Sequence, residues 1–179
     1  MSLRAILDRF YLLCAWAAAV AIASIFVLML VQSVGRELGL QVRGADDIAA
    51  WLCAASAFLG LAHTLQAGEM VRVGLWIDRL GPVWQRRVEI GVLIIASTFT
   101  GWATWAVADF VRQSREFNEL TQGLIIVPVW IPQLSVVVGI GALFIALVDE
   151  LVWVLAGHVP RYRQAAADRA ARGEFGESA

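Results

Sequence analysis

The sequence predicts an all-α membrane protein. Four transmembrane helices are joined by a short amphipathic helix at the cytoplasmic interface, and both termini lie in the cytoplasm. Three observations carry this. The 179 residues are 60% hydrophobic and 16% charged, with a mean hydropathy of +0.72, whereas a soluble domain carries about 25% charge. Charge also vacates four intervals, Phe10–Gly35, Ile48–Gly68, Ile90–Ala108 and Leu120–Val148. They run 26, 21, 19 and 29 residues, against the roughly 20 that a helix needs to cross about 30 Å of hydrocarbon. Finally, the fourteen basic residues, all arginine, divide unevenly between the two sides. With the amino terminus inside, Arg4, Arg9, Arg72, Arg79, Arg86, Arg87, Arg161, Arg163, Arg169 and Arg172 are cytoplasmic, and only Arg36, Arg43, Arg112 and Arg115 face outward. The positive-inside rule favours that orientation.

The first span covers about 11–34. Arg4 and Arg9 precede it and Ala21-Ile22-Ala23 resembles a cleavage site, but the apolar run continues to Val34, far beyond the core of a signal peptide. It is read as an anchor. Gly35, Gly39 and Gly44 break the helix, and Asp46 and Asp47 open the second span, about 47–67, where acids suit the orphan N–H groups and the positive helix end. That helix has a small stripe, Cys53, Ala57, Gly60 and Thr64, and a bulky one, Trp51, Phe58 and Leu65. A small stripe lets another helix approach closely in lipid, whether one of this chain's own or one of another subunit.

Between spans two and three, Val73, Trp76, Ile77 and Leu80 recur at i, i+3, i+4, i+7 with Arg72 and Arg79 elsewhere on the wheel. This predicts an interfacial helix over about 71–80. Gly81 and Pro82 suit the end of that helix and the first turn of the next. The third span, about 83–110, is expected to continue outside the membrane through the i, i+4 pairs Arg112–Glu116 and Arg115–Glu119, with no breaker before Gly123. Pro128 and Pro132 disfavour regular helix at the start of the fourth span, about 130–156, where Trp130 suits the interface. Residues 1–157 thus form the membrane domain and 158–179 a cytoplasmic tail.

No chemistry is evident. The cores of the four spans contain no acid or base apart from His63; Asp109, Asp149 and Glu150 lie near helix ends, within reach of water. Intramembrane charge ordinarily marks coupling sites. A bis-histidine haem would need His63 and His158, and His158 lies at or beyond the end of its span, too shallow for a buried haem. Thr98 and Thr104 with Trp102 and Trp105 could face a partner, although Ser and Thr hydroxyls return by default to their own helix. The two cysteines, Cys14 and Cys53, sit at different depths and read as small apolar residues. A net charge of -1 gives no footing to nucleic acid. No catalytic residue, cofactor ligand or metal ligand is predicted in this chain. Spans with no internal formal charge suggest an accessory or scaffold subunit.

The runs Asp46-Asp47-Ile48-Ala49-Ala50-Trp51-Leu52, Phe58-Leu59-Gly60-Leu61-Ala62 and Gly68-Glu69-Met70-Val71-Arg72-Val73, with Pro128-Val129-Trp130 and Gly139, resemble the small membrane subunit (DctQ type) of TRAP transporters. Met70, Gly74, Gln66 and Val137 depart from that pattern. The resemblance implies a secondary transporter of three parts in the bacterial inner membrane. A periplasmic binding protein captures a carboxylate-bearing solute, and a large subunit (DctM type) moves it with sodium ions bound there. The small subunit acts as scaffold and helps seat the binding protein. Residues expected at subunit contacts are Asp47, Trp51, Cys53, Ala57, Gly60, Thr64, Arg72, Trp76, Pro128 and Trp130. The rival readings are a haem- or quinone-binding membrane anchor and a stand-alone four-helix exporter; the exporter needs a membrane-embedded carboxylate that no span provides.

Overall fold

The computed structural model describes residues 3–40, 43–67, 81–158, 160–161 and 164. The interfacial helix expected over 71–80 lies outside these residues. Four helices, α1 (Leu3–Glu37), α2 (Ala45–Gln66), α3 (Pro82–Glu116) and α4 (Trp130–Leu155), are each long and apolar enough to cross a membrane, and the described residues form no named strand. α1 packs on α2, α2 on α4, and α4 on α3. The spatial order is therefore α1-α2-α4-α3, with α1 and α3 at the edges.

Each edge helix buries one seam. On α1, Tyr11, Cys14, Ala18 and Ala21 are buried, and the same alternation of three and four continues through half-buried Ile25, Leu28 and Gln32 to buried Gly35. On α3 the sequence is Ile90, Leu93, Ser97, Thr100, Thr104, Val107, Val111 and Ser114, all buried or half-buried. A period of 3.5 is that of left-handed helix packing. Lipid gives helices no hydrophobic reason to associate, so close approach of backbones matters most. Glycine supplies it on α4: a Cβ on Gly139 would overlap the Phe58 carbonyl of α2. On α3 the Phe144 ring lies over Gly101, where a Cβ would meet Cε2 at 2.8 Å.

Three of the helices end in the same way. The Leu40 N–H donates to the Gly35 carbonyl at 2.8 Å and that of Gly39 to Arg36 at 3.2 Å. The pattern recurs as His158 to Trp153 with Gly157 to Val154, and as Glu119 to Ser114 with Asn118 to Arg115. These are Schellman closures, which need a left-handed residue after the helix; Gly39, Gly157 and Asn118 have φ of 71°, 94° and 50°. Two expectations are corrected here. Gly35 does not break α1 but accepts the closing bond, and α3 is ended by Asn118 rather than Gly123, because Asn tolerates the left-handed region.

Packing is densest toward the end holding the amino terminus, where Tyr11, Cys14, Ala62, Leu65, Leu93, Ala142, Ala146, Leu147 and Val154 form one cluster. Toward the opposite end, which carries the α1–α2 and α3–α4 loops, the helices part. Two apolar grooves of about 480 and 290 Å³ flank Ile48 and Leu52, which line both.

Candidate functional site

The loop end is held together by the acidic pair of α2. Gly44, with φ 78°, occupies the N-cap position and no side chain caps the helix. Asp46 and Asp47 therefore do not serve as the caps their position suggests, though both remain at the positive helix end. Asp46 accepts a hydrogen bond from Gln32 Nε2 of α1 at 3.2 Å. Asp47 Oδ2 accepts the N–H groups of Leu124 at 2.8 Å and Ile125 at 3.4 Å. A Cβ on Gly123 would overlap that carboxylate, and one on Gly44 would overlap the Ile125 side chain. Glycine at both positions lets the α3–α4 loop lie directly on the start of α2.

The loop is organised internally by Thr121. Its hydroxyl donates to the Ile125 carbonyl at 2.6 Å and accepts from the Val127 N–H at 3.0 Å, and an isolated antiparallel bridge joins Leu120 to Pro128. Ser114, buried at the end of α3, donates to Glu119 Oε2 at 2.9 Å. Arg115, expected to pair with Glu119, instead lies over the Trp130 ring at 5.8 Å. Glu119 faces back toward Ser114 because the Schellman turn takes it off the helix. Arg112 pairs with Asp109 at 2.7 Å and reaches Glu116 at 3.8 Å.

The opposite end has its own polar joint. Arg161 Nη1 meets Asp149 Oδ2 at 2.8 Å, its backbone N–H donates to Glu150 Oε1 at 2.6 Å, and its guanidinium lies 4.6 Å over Trp153. Glu150 is buried, 7% exposed, and does not stand in water as its position in the sequence suggests; the chain folding back from α4 covers it. His158 stacks on Trp153 with ring centroids 4.0 Å apart, and Arg86 Nη2 of α3 donates to the Val154 carbonyl at 3.2 Å. Arg161 and Arg86 thus tie the end of α4 to the following segment and to α3.

The residues expected at subunit contacts do not gather on one surface. Asp47 is engaged with the loop, and Pro128 and Trp130 belong to that loop and its junction with α4. Trp51 lines the groove between α2 and α4 with Ile131 and Pro132. Cys53 and Ala57 are exposed on another side of α2. Gly60 faces α1, where a Cβ would lie 4.0 Å from that of Ala18, and Thr64 Oγ1 returns to the Gly60 carbonyl at 2.9 Å. Arg72 and Trp76 lie outside the described residues. The role of Thr121 was open only to reasoning that knew the partners of its hydroxyl, since a single loop threonine carries no distinctive spacing.

Within the helices, several hydroxyls turn back to the backbone. Ser24, Ser56, Ser97, Thr104 and Ser135 donate to Val20, Cys53, Leu93, Thr100 and Pro132 at 2.7–2.9 Å. This geometry satisfies each hydroxyl within its own helix.

Comparison with known proteins gives one positive result. The model of the family described as tripartite ATP-independent periplasmic transporters, DctQ component, matches residues 25–157, which span α2, α3, α4 and the carboxy-terminal part of α1. No curated protein matches the chain.

Proposed function

Because the chain belongs to the DctQ component family of tripartite ATP-independent periplasmic transporters, we propose that it is the scaffold of a sodium-driven importer of a carboxylate-bearing solute. A family of transporter components and four membrane-length helices make it a multi-pass membrane protein and a transporter subunit. In the proposed arrangement the amino-terminal end is cytoplasmic and the loop end is periplasmic, in a bacterial inner membrane. The large subunit holds sodium and substrate sites, and the periplasmic binding protein seats partly on the loop end. The tail beyond His158 is cytoplasmic.

One observation carries this reading. No Asp, Glu, Lys or Arg lies in the four charge-free intervals, and most of the hydroxyls there are returned to their own helices. Ion-coupled movement of an anionic solute requires groups that exchange their partners during the cycle. Such groups are better placed on a partner, with this chain as the frame against which it moves.

The test is co-expression with the large subunit, purification through a tag on this chain, and a visible spectrum of the product. A stable complex without haem absorption is the expected outcome. A chain that purifies alone, or one with a Soret band, contradicts the proposal.

A further inference from the structure

The helix α3 carries a second seam opposite the one that packs on α4. Gly91, Ile95, Thr98, Trp102 and Trp105 follow each other at spacings of four, three, four and three. The three bulky members are exposed: Ile95 by 71%, Trp102 by 61% and Trp105 by 67%. Phe99 extends the face, its ring 6.2 Å from that of Trp102. Exposure of apolar residues does not by itself distinguish a partner from lipid. The polar atoms do.

Ser97 and Thr104, on the α4 side, return their hydroxyls to the helix. The Thr98 hydroxyl and the indole N–H groups of Trp102 and Trp105 find no acceptor among the described residues. An indole, unlike a hydroxyl, cannot bond back to its own helix backbone. Its depth then decides what can satisfy it. Trp102 lies seven residues before Asp109, about 10 Å below the charged boundary at a rise of 1.5 Å per residue. Thr98 is about 16 Å from Asp109 and about 14 Å from Glu89, near the bilayer midplane. Side chains tilt toward the amino terminus of their helix, and for α3 that direction leads away from the nearer interface. Lipid carbonyls are thus out of reach of Trp102. Trp16 on α1 is equally exposed, at 64%, and lies seven residues after Arg9, but its tilt leads toward the nearer interface and the headgroups.

We propose that the face of α3 formed by Ile95, Thr98, Phe99, Trp102 and Trp105 is the docking surface for a transmembrane helix of the large transport subunit. That helix presents a hydrogen-bond acceptor to Trp102 near mid-bilayer, as a hydroxyl or amide side chain or as a carbonyl freed where the helix is broken. Acyl chains have no such acceptor, and an unpaired donor is unfavourable in hydrocarbon. Broad aromatic side chains of this kind dominate the energetics of protein interfaces. This inference rests on the scaffold reading and moves the principal contact from the small stripe of α2 to the edge of the helix layer.

The experiment is co-purification of the large subunit with Trp102→Leu, Trp102→Phe and Trp16→Leu variants, each compared with the wild type at equal membrane abundance. Leucine keeps the site apolar and compatible with insertion; phenylalanine keeps the ring and removes only the N–H. The expected result is at least tenfold less large subunit with Trp102→Leu, an intermediate loss with Trp102→Phe and none with Trp16→Leu. Wild-type recovery with Trp102→Leu overturns the docking face while leaving the scaffold reading intact. Absence of the large subunit from the wild-type preparation overturns both. Pairing of two differently tagged copies of this chain through Trp102 without the large subunit overturns the choice of partner.

Discussion

The carboxylate of Asp47 receives two backbone N–H groups from a loop 77 and 78 residues further along the chain. Hydrogen bonds to a charged acceptor contribute about 1.5–3 kcal/mol where they are sheltered and less where water competes. The Leu124 bond is exposed, so Asp47→Ala is expected to cost about 1–2 kcal/mol, at the lower part of that range. Thermal unfolding in detergent and faster amide exchange at Leu124 and Ile125 would report it; unchanged exchange at both would show that the loop is held by other contacts. Two glycines of the resemblance motifs separate in the same terms. Gly139→Ala forces a methyl into the Phe58 backbone and should cost at least the roughly 1–3 kcal/mol typical of overpacking. Gly60→Ala meets only the Ala18 methyl at 4.0 Å and should be neutral or gain up to about 1 kcal/mol from helix propensity. Unfolding midpoints of the two variants test the contrast, and equal midpoints would contradict it.

At the scale of the element, helix existence was legible because charge cannot remain in hydrocarbon, so the four intervals free of it had to be spans. Helix ends were legible only in part. Gly39 and Gly157 are visible as glycines after an apolar run, whereas Asn118 looks like any polar loop residue until its φ of 50° is known. Asn118→Gly is accordingly expected to be tolerated, and Asn118→Val to cost about 1–2 kcal/mol, because a β-branched residue resists the left-handed region. Similar unfolding midpoints for the two would remove the Schellman closure as the terminator of α3. The acidic pair was misread for a physical reason as well. Its position at a helix start suggests capping, but a reach of 77 residues to the loop leaves no local trace in the sequence.

For the whole molecule, the order α1-α2-α4-α3 was beyond sequence reasoning. In lipid every helix face is apolar, so hydrophobic periodicity cannot say which face meets a neighbour and which meets the bilayer. The small stripe of α2 illustrates this: Gly60 faces α1, whereas Cys53 and Ala57 are exposed. Hydrogen-bonding atoms are more informative than apolar ones here, since Asp47 is defined by the loop N–H groups that its carboxylate reaches. The resulting picture is a layer of helices locked at one end by Arg161 and Arg86 and at the other by Asp46 and Asp47, with no Asp, Glu, Lys or Arg in the cores of its spans. The central claim is that this frame is indispensable to transport without itself conducting. Its most direct test is sodium-driven solute uptake into proteoliposomes containing the large subunit and the binding protein, with and without this chain. Uptake that falls to background when the chain is left out is the predicted result; uptake that continues unchanged without it would contradict the account.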